Sequence, residues 1–281
     1  MTSSRGAGLY LDLLAKVLTR TFDEDADEIV GVAGADPMTE RGALRAEQRL
    51  ARDLAQGGLQ LVRKREFDPA ARALGRDWPA RAETMMGLRR LENVRACVQS
   101  VLADEVPGDL LEAGVWRGGG AIYMKAVLAA FGDEERSVWL ADSFQGLPPP
   151  DPAYPADALL HMDEMPYLEA SQERVRDAFR RYDLLDDRIR FLPGWFKDTL
   201  PSAPVEALAV LRLDADLYES TWQALDALYP KLSPGGYCIV DDYGLIRACR
   251  KAVHHYRARH GIRDRIIDID GWGAYWQKSD T

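Results

Sequence analysis

The 281-residue sequence holds three cysteines, Cys97, Cys238 and Cys249, widely spaced and without a CxxC pair. That count argues against a disulfide framework or a cysteine zinc site and predicts free thiols, buried or half-buried, of a reducing compartment. No stretch approaches the roughly 20 consecutive apolar residues that a membrane span requires. The first ten residues are small and polar with no long apolar run behind them, so a cytoplasmic protein with no membrane partner is expected. Positive charge is also in short supply. Lys and Arg number 36 against 45 Asp and Glu, a net charge of −9. This balance disfavours nucleic acid as the main partner. Two nucleotide signatures are missing as well, GxGxxG and GK[ST], which disfavours a pyrophosphate loop and a P-loop. There is no internal repeat and no low-complexity tract.

What is present divides at about residue 82. Residues 1–82 show a short amphipathic helix at Leu9–Thr21, an acidic run at Asp23–Glu28 and a mixed charged stretch at Glu40–Arg65, with no strand pattern. They are expected to form a helical N-terminal extension that packs on the core, covers an active site, or contributes to a homodimer or higher homo-oligomer. Residues 83–281 form the main domain. A helix is predicted over Glu83–Ala103 from apolar residues at helical spacing, closed by Pro107-Gly108. Strands are predicted at Leu110–Val115, Val138–Asp142, Ile189–Leu192, Leu208–Leu213 and Tyr237–Asp241, several as continuous apolar runs buried on both faces. Helices are predicted between them at Ala121–Phe131, Ser171–Tyr182, Ser220–Leu232 and Leu245–His260. Ser233–Gly236 is predicted as a turn, and a strand pair, Arg265–Ile269 with Gly273–Gln277, closes the chain around Asp270-Gly271. The pattern implies an α/β fold with an open, mostly parallel sheet and a terminal antiparallel strand pair.

Three features at predicted strand tips carry chemistry. Glu112 to Gly120, EAGVWRGGG, ends the first strand and opens a helix, and its glycines let a ligand approach the backbone closely. Asp142 ends the next strand, where a carboxylate can accept both ribose hydroxyls of an adenosine ligand. That placement suits NAD and S-adenosylmethionine alike, and the missing pyrophosphate loop favours the latter. Asp214 and Asp216 end one later strand, Asp241 and Asp242 the next. Four carboxylates at one mouth are costly without a cation or bound protons. Hard oxygen ligands without His or Cys point to Mg²⁺, Ca²⁺ or Mn²⁺. A divalent ion would acidify a hydroxyl that is otherwise a poor nucleophile.

These motifs resemble the macrocin O-methyltransferase (TylF-like) family, which methylates deoxysugar hydroxyls of glycosylated natural products. The resemblance runs from about Thr84 to Gln277 and rests on TMMG at Thr84–Gly87, GDLLEAGVWRGG at Gly108–Gly119, ADSFQG at Ala141–Gly146, GWFKDTLP at Gly194–Pro201, RLDADLYEST at Arg212–Thr221 and DDY at Asp241–Tyr243. It implies a class I methyltransferase, Rossmann-like fold with S-adenosylmethionine and Mg²⁺ as cofactors and a small-molecule glycoside as substrate. By the same resemblance Asp214, Asp241 and Asp242 bind the metal, and Asp216 is the candidate general base with Asp214 beside it in the catalytic set. Glu112, Gly114, Asp142 and Ser143 line the cofactor site, with Gly194 and Trp195 near the adenine and Met85 and Met86 near the methyl-transfer site. The proline-rich stretch Gln145–Tyr167 is expected to be a lid loop, with His161 as an acceptor-side catalytic candidate. Asp241→Asn is expected to abolish activity and spare the fold. Three other readings compete. They are a metal-dependent methyltransferase of catechol-type phenols, a nucleotide-sugar glycosyltransferase using Asp214-Ala215-Asp216 as a DxD, and a non-catalytic S-adenosylmethionine-binding protein.

Overall fold

The computed structural model describes residues 2–24, 27–29, 41–64 and 66–280. Its helices and strands run, in chain order, α1 (Thr2–Thr19), β1 (Asp27–Ile29), α2 (Arg41–Gln56), β2 (Val62–Lys64), α3 (Pro69–Ala73), α4 (Leu88–Ala103), β3 (Asp109–Ala113), α5 (Gly119–Phe131), β4 (Val138–Asp142), α6 (Gln172–Arg181), β5 (Ile189–Pro193), α7 (Phe196–Thr199), β6 (Leu208–Leu213), α8 (Tyr218–Leu228), β7 (Leu232–Val240), α9 (Arg247–Arg259), β8 (Ile267–Asp268) and β9 (Ala274–Gln277). Seven strands form one sheet in the order β5-β4-β3-β6-β7-β9-β8. The first five are parallel, and β9 is antiparallel to both β7 and β8. This is the mostly parallel sheet with a closing antiparallel pair that the strand pattern implied.

The core is two-sided because the central strands are apolar on both faces. All six residues of β6 are buried. On one face Leu110, Val210 and Ile239 pack with α4, α5 and α1. On the other, Leu111, Leu211, Leu213 and Val240 pack with α8 and α9. The chain moves outward from β3 in both directions, to β4 on one side and to β6 on the other. That reversal leaves a crevice at the carboxyl ends of β3 and β6, where open α/β sheets bind ligands.

Several expectations need correction. The N-terminal segment does contain strands, the antiparallel pair β1–β2. Three residues each are too few to leave a period-2 signature. The first helix begins at Thr2 rather than Leu9, through serines and glycines that propensity alone disfavours. The helix expected from Glu83 starts at Leu88. Residues 83–87 are held extended instead, with Glu83 N–H bonded to the Leu18 carbonyl and Met86 N–H to Thr84 Oγ1. The Ser233–Gly236 turn lies inside β7, where a shift in register against β6 absorbs it. The three cysteines are free and buried, as expected. No helix among the described residues is long and apolar enough to cross a membrane.

Helix α1 is part of the core. Leu11, Leu14, Ala15 and Leu18 are buried in the same cluster as α4 and α5. Leu18→Ala removes a fully buried side chain and is expected to lower unfolding free energy by ~2–5 kcal/mol. Urea denaturation checks this, and a change within error would mean that α1 is only loosely docked.

Candidate functional site

The loops leaving the carboxyl ends of the parallel strands are shaped by left-handed residues. Trp116 after β3, Phe144 after β4 and Asp216 after β6 have φ of 48°, 56° and 54°. Such conformations are costly for non-glycine residues and gather at functional sites. Gly114 has φ 85°, and a Cβ there would overlap the Asp214 carbonyl. The tips of β3 and β6 therefore touch through bare backbone, which explains why glycine is needed at that position.

Asp142 organises the first of these loops. Its Oδ2 accepts from Val115 N–H at 2.7 Å and Trp116 N–H at 3.3 Å, and its Oδ1 from Phe144 N–H at 2.7 Å. A carboxylate has about four acceptor sites, so capacity remains on Oδ1 for a ligand hydroxyl. Burial raises its pKa, against the backbone hydrogen bonds that favour the charge. Ser143 is committed locally, donating to the Gly146 carbonyl at 2.6 Å and accepting from Gln145 N–H. Gly194 N–H bonds the Asp142 carbonyl at 2.9 Å. Trp195 then precedes α7, half-buried rather than in the core. Met85 is half-buried against Trp116 and Tyr167, whereas Met86 is buried in the main core.

Beneath these tips runs a buried ion network. Arg212 sits on β6 between Glu112 of β3 and Asp241 at the end of β7. It donates to Glu112 Oε1 at 2.5 Å, to Asp241 Oδ1 at 2.5 Å and to Asp214 Oδ2 at 3.1 Å. Arg90 of α4 donates to the other oxygen of Asp241, lies 3.2 Å from Asp270 and bonds the Met85 carbonyl at 3.1 Å. Burial pushes Glu112 up to about 8, with Arg212 opposing. Burial works the same way on Asp241, but Arg212 and Arg90 win and hold it below the usual carboxylate range.

Two of the expected site residues thus have other partners. Glu112 was expected to line the cofactor site. It is 2% exposed, paired to Arg212, and faces Gly120 of α5, where a Cβ would collide with its carboxylate. Asp241 was expected among the metal ligands, yet both its oxygens accept from arginine. Oxygens of Asp214, Asp216 and Asp242 instead lie within 4.8 Å of one another, close enough to share one metal ion. Burial raises the pKa of all three, helped by nearby carboxylates that in each case include Asp241, and Asp216 reaches about 8. This donor set fits a hard divalent cation. A second observation agrees: one nitrogen of Arg212 already bridges Asp214 and Asp241, so those two carboxylates converge on a positive charge.

The lid at 145–167 forms three short 3₁₀ turns. His161 begins the second, exposed, and its described contacts do not reach the carboxylates. The residue in the lid that does reach the site's framework is one that the sequence did not mark. Asp157, 1% exposed, accepts from Tyr218 N–H at 2.7 Å and Glu219 N–H at 2.9 Å. It caps α8 from 61 residues away, where Leu217 offers no cap of its own. At its other end the lid is held by Trp116, whose indole donates to the Tyr167 carbonyl at 2.8 Å, and by Arg117, stacked over both rings. Arg117 also bonds the carbonyls of Ala80 and Ala82, tying in the segment before α4.

With this geometry in hand, similarity to known proteins is informative. Residues 7–278 match the macrocin-O-methyltransferase (TylF) family. The chain is 50% identical over 272 residues, 96% of its length and 92% of the relative's, to an 8-demethyl-8-(2,3-dimethoxy-α-L-rhamnosyl)-tetracenomycin-C 4'-O-methyltransferase from Streptomyces olivaceus. It is 45% identical over 283 residues, covering 99% and 100%, to a mycinamicin III 3''-O-methyltransferase from Micromonospora griseorubida. The structure of the O-methyltransferase NovP superposes with a TM-score of 0.82 at 46% identity, covering 97% and 99% of the two chains.

The ion network revises what Asp241→Asn should do. Removing that charge leaves Arg90 and Arg212 under-compensated in the interior, so unfolding free energy is expected to fall by ~3–5 kcal/mol. Adding Arg212→Met to the amide variant should recover part of the loss. A wild-type urea midpoint for the single variant would show that the pairs are dispensable.

Proposed function

Because the chain belongs to the macrocin-O-methyltransferase (TylF) family, we propose that it transfers a methyl group from S-adenosylmethionine to a deoxysugar hydroxyl of a glycosylated natural product, with Mg²⁺ beside the cofactor. The observation that carries the metal-assisted part is the convergence of Asp214, Asp216 and Asp242 next to the Gly114 turn. The relatives' acceptors by name are a rhamnosyl-tetracenomycin and mycinamicin III, and the rhamnosyl group of the first supports the sugar as the acceptor class.

When bound, S-adenosylmethionine supplies an already activated methyl group, and a divalent cation lowers the proton affinity of a sugar hydroxyl that it contacts. The chain's own residues do the rest. The Gly114 turn presents backbone to the cofactor, Asp142 keeps an acceptor position on Oδ1 for a ribose hydroxyl, and Trp195 and Met85 flank the cofactor as apolar walls. Asp214 and Asp242 hold the cation. Asp241 would join them by giving up its bond from Arg212, which keeps Glu112 as a partner, while Arg90 stays on its other oxygen. Asp216, fixed in a left-handed turn at the tip of β6, would take the hydroxyl proton once a cation's charge offsets the burial and repulsion that raise its pKa. Alignment of donor and acceptor is the main rate contribution, since the methyl group needs no further activation. His161 serves from the lid on the acceptor side. The N-terminal helices add to a homo-oligomer interface.

The first test is calorimetric titration of S-adenosylhomocysteine with and without Mg²⁺, followed by incubation with the rhamnosyl-tetracenomycin acceptor, mycinamicin III and a catechol. Binding, and the mass gain of one methyl on a glycoside, are expected. Methylation of the catechol alone would move the function to phenols. EDTA should abolish turnover and Mg²⁺ restore it, whereas full activity in excess chelator would count against a functional metal.

The carboxylate roles separate by variant. Asp214→Asn and Asp242→Asn should each weaken Mg²⁺ binding by at least ~10–100-fold, the loss seen even when an outer partner of a metal is disturbed. Asp216→Asn should keep cation affinity and lower kcat by ~10²–10⁴-fold, the usual worth of a positioned base. If Asp216→Asn loses the cation as Asp214→Asn does, Asp216 is a ligand and the base lies elsewhere.

A further inference from the structure

A row of aromatic rings stands at the start of α8, and the buried core does not account for it. Tyr154 of the lid lies 6.1 Å from Tyr218, and Tyr218 stacks on Trp222 at 6.2 Å with only 6° between planes. None of the three is buried, and Tyr154 and Tyr218 belong to no core cluster. Tyr218 follows Asp216 by two residues and opens α8, the helix that leaves the carboxylate tip of β6. Its hydroxyl is engaged by His255 Nδ1 at 3.1 Å. The ring's polar end is therefore occupied, while its body remains half-exposed.

The lid half of the row is held in place by the cap on α8. Asp157 is three residues beyond Tyr154, and its two bonds to the first N–H groups of α8 bring the lid against that helix. Beyond the cap, Leu159 stands 65% exposed. Partly exposed rings from the lid and from α8 thus adjoin, on two elements distant in sequence, next in the chain to the carboxylate tip of β6.

We propose that Tyr154 and Tyr218 bind the aglycone of the acceptor, a flat apolar ring system, with Trp222 and His255 backing Tyr218 and Asp157 acting as the positioning residue that assembles the surface. This rests on the glycoside reading above. The aglycone is favoured over the sugar by reach and by chemistry. A sugar whose hydroxyls meet the carboxylates ends before a surface two ring spacings long, and what extends beyond it is the group on its glycosidic carbon. Aromatic faces with engaged hydroxyls attract apolar rings, and such contacts prefer offset or tilted geometry.

The test compares two acceptors carrying one sugar: 8-demethyl-8-(2,3-dimethoxy-α-L-rhamnosyl)-tetracenomycin C, and methyl 2,3-di-O-methyl-α-L-rhamnoside, which lacks the aglycone. Tyr218→Ala and Tyr154→Ala, on separate elements, should each raise KM for the first by roughly five- to tenfold. They should leave kcat, the KM of the second and affinity for S-adenosylhomocysteine unchanged. Asp157→Ala should reproduce this KM pattern, and Asp157→Asn, which keeps one acceptor oxygen, should recover part of it. Equal rises for both acceptors, or none for either, would overturn the assignment. So would a loss of S-adenosylhomocysteine affinity in step with KM, the mark of a general structural defect. If the wild-type enzyme methylates neither compound nor any other glycoside, the glycoside reading falls and takes this one with it.

Discussion

Arg212 is the residue on which the arrangement of the site depends. It is fully buried in a strand whose other five residues are apolar, and a guanidinium there is tolerable only with carboxylates around it. Glu112 on one neighbouring strand and Asp241 at the end of the other supply them, with Asp214 above. The sheet's register makes this possible, because Glu112 pairs with Arg212 across β3 and β6, and Arg212 with Ile239 on β7, two residues before Asp241. Arg90 completes the group from the helix layer. Two guanidiniums then face six carboxylates: Glu112, Asp214, Asp216, Asp241, Asp242 and Asp270. The excess of negative charge lies toward the mouth. Proton uptake relieves it in part, as the raised pKa values of Glu112 and Asp216 indicate. A dication would relieve it more completely, and this is a physical reason for one to bind there.

Much of this was legible in the chain, and what was not has common causes. The strands at Val138–Asp142 and Leu208–Leu213 were placed to the residue, because each is a short apolar run between turn signals. Carboxylates at strand tips were visible for the same reason, since a strand's end fixes where its next residue lies. Their partners were not visible. Arg90 and Asp241 are 151 residues apart, and Asp157 is 61 from the helix end that it caps. Spacing along the chain carries no trace of such pairs. Arg212 is a lone charge in LAVLRL, and a lone charge does not say which carboxylates will answer it. Asp142 shows a second side of the same limit. A strand-tip aspartate reads as a ligand-binding group, and its bonds to the Val115 and Trp116 N–H groups of the neighbouring loop and to Phe144 of its own leave no trace in the spacing.

The lid completes the picture by contrast. Its prolines and polar residues cannot build a core of their own, so its shape is imposed from its two ends, at Asp157 on α8 and at Tyr167 on Trp116 and Arg117. One attachment lies past the carboxylate tip and the other past the glycine turn. The lid therefore spans both halves of the site and couples their positions. Changes between the attachments can alter what the lid presents without disturbing either end.

That separation bears on how one framework serves different acceptors. Relatives at 50% and 45% identity carry names that specify different acceptors. The buried network cannot vary freely, since each arginine and carboxylate in it is another's counter-charge and a single loss strands a charge in the interior. The outer surface has no such constraint. Tyr154, Tyr218 and Leu159 are partly or largely exposed, and none carries a charge that another residue must balance. Replacing them costs little in stability and, if they bind the aglycone as proposed, would change which ring system fits. The division between a charge-locked interior that performs the chemistry and an aromatic rim free to vary follows from burial alone, and it locates specificity at the end of the site farthest from the sheet.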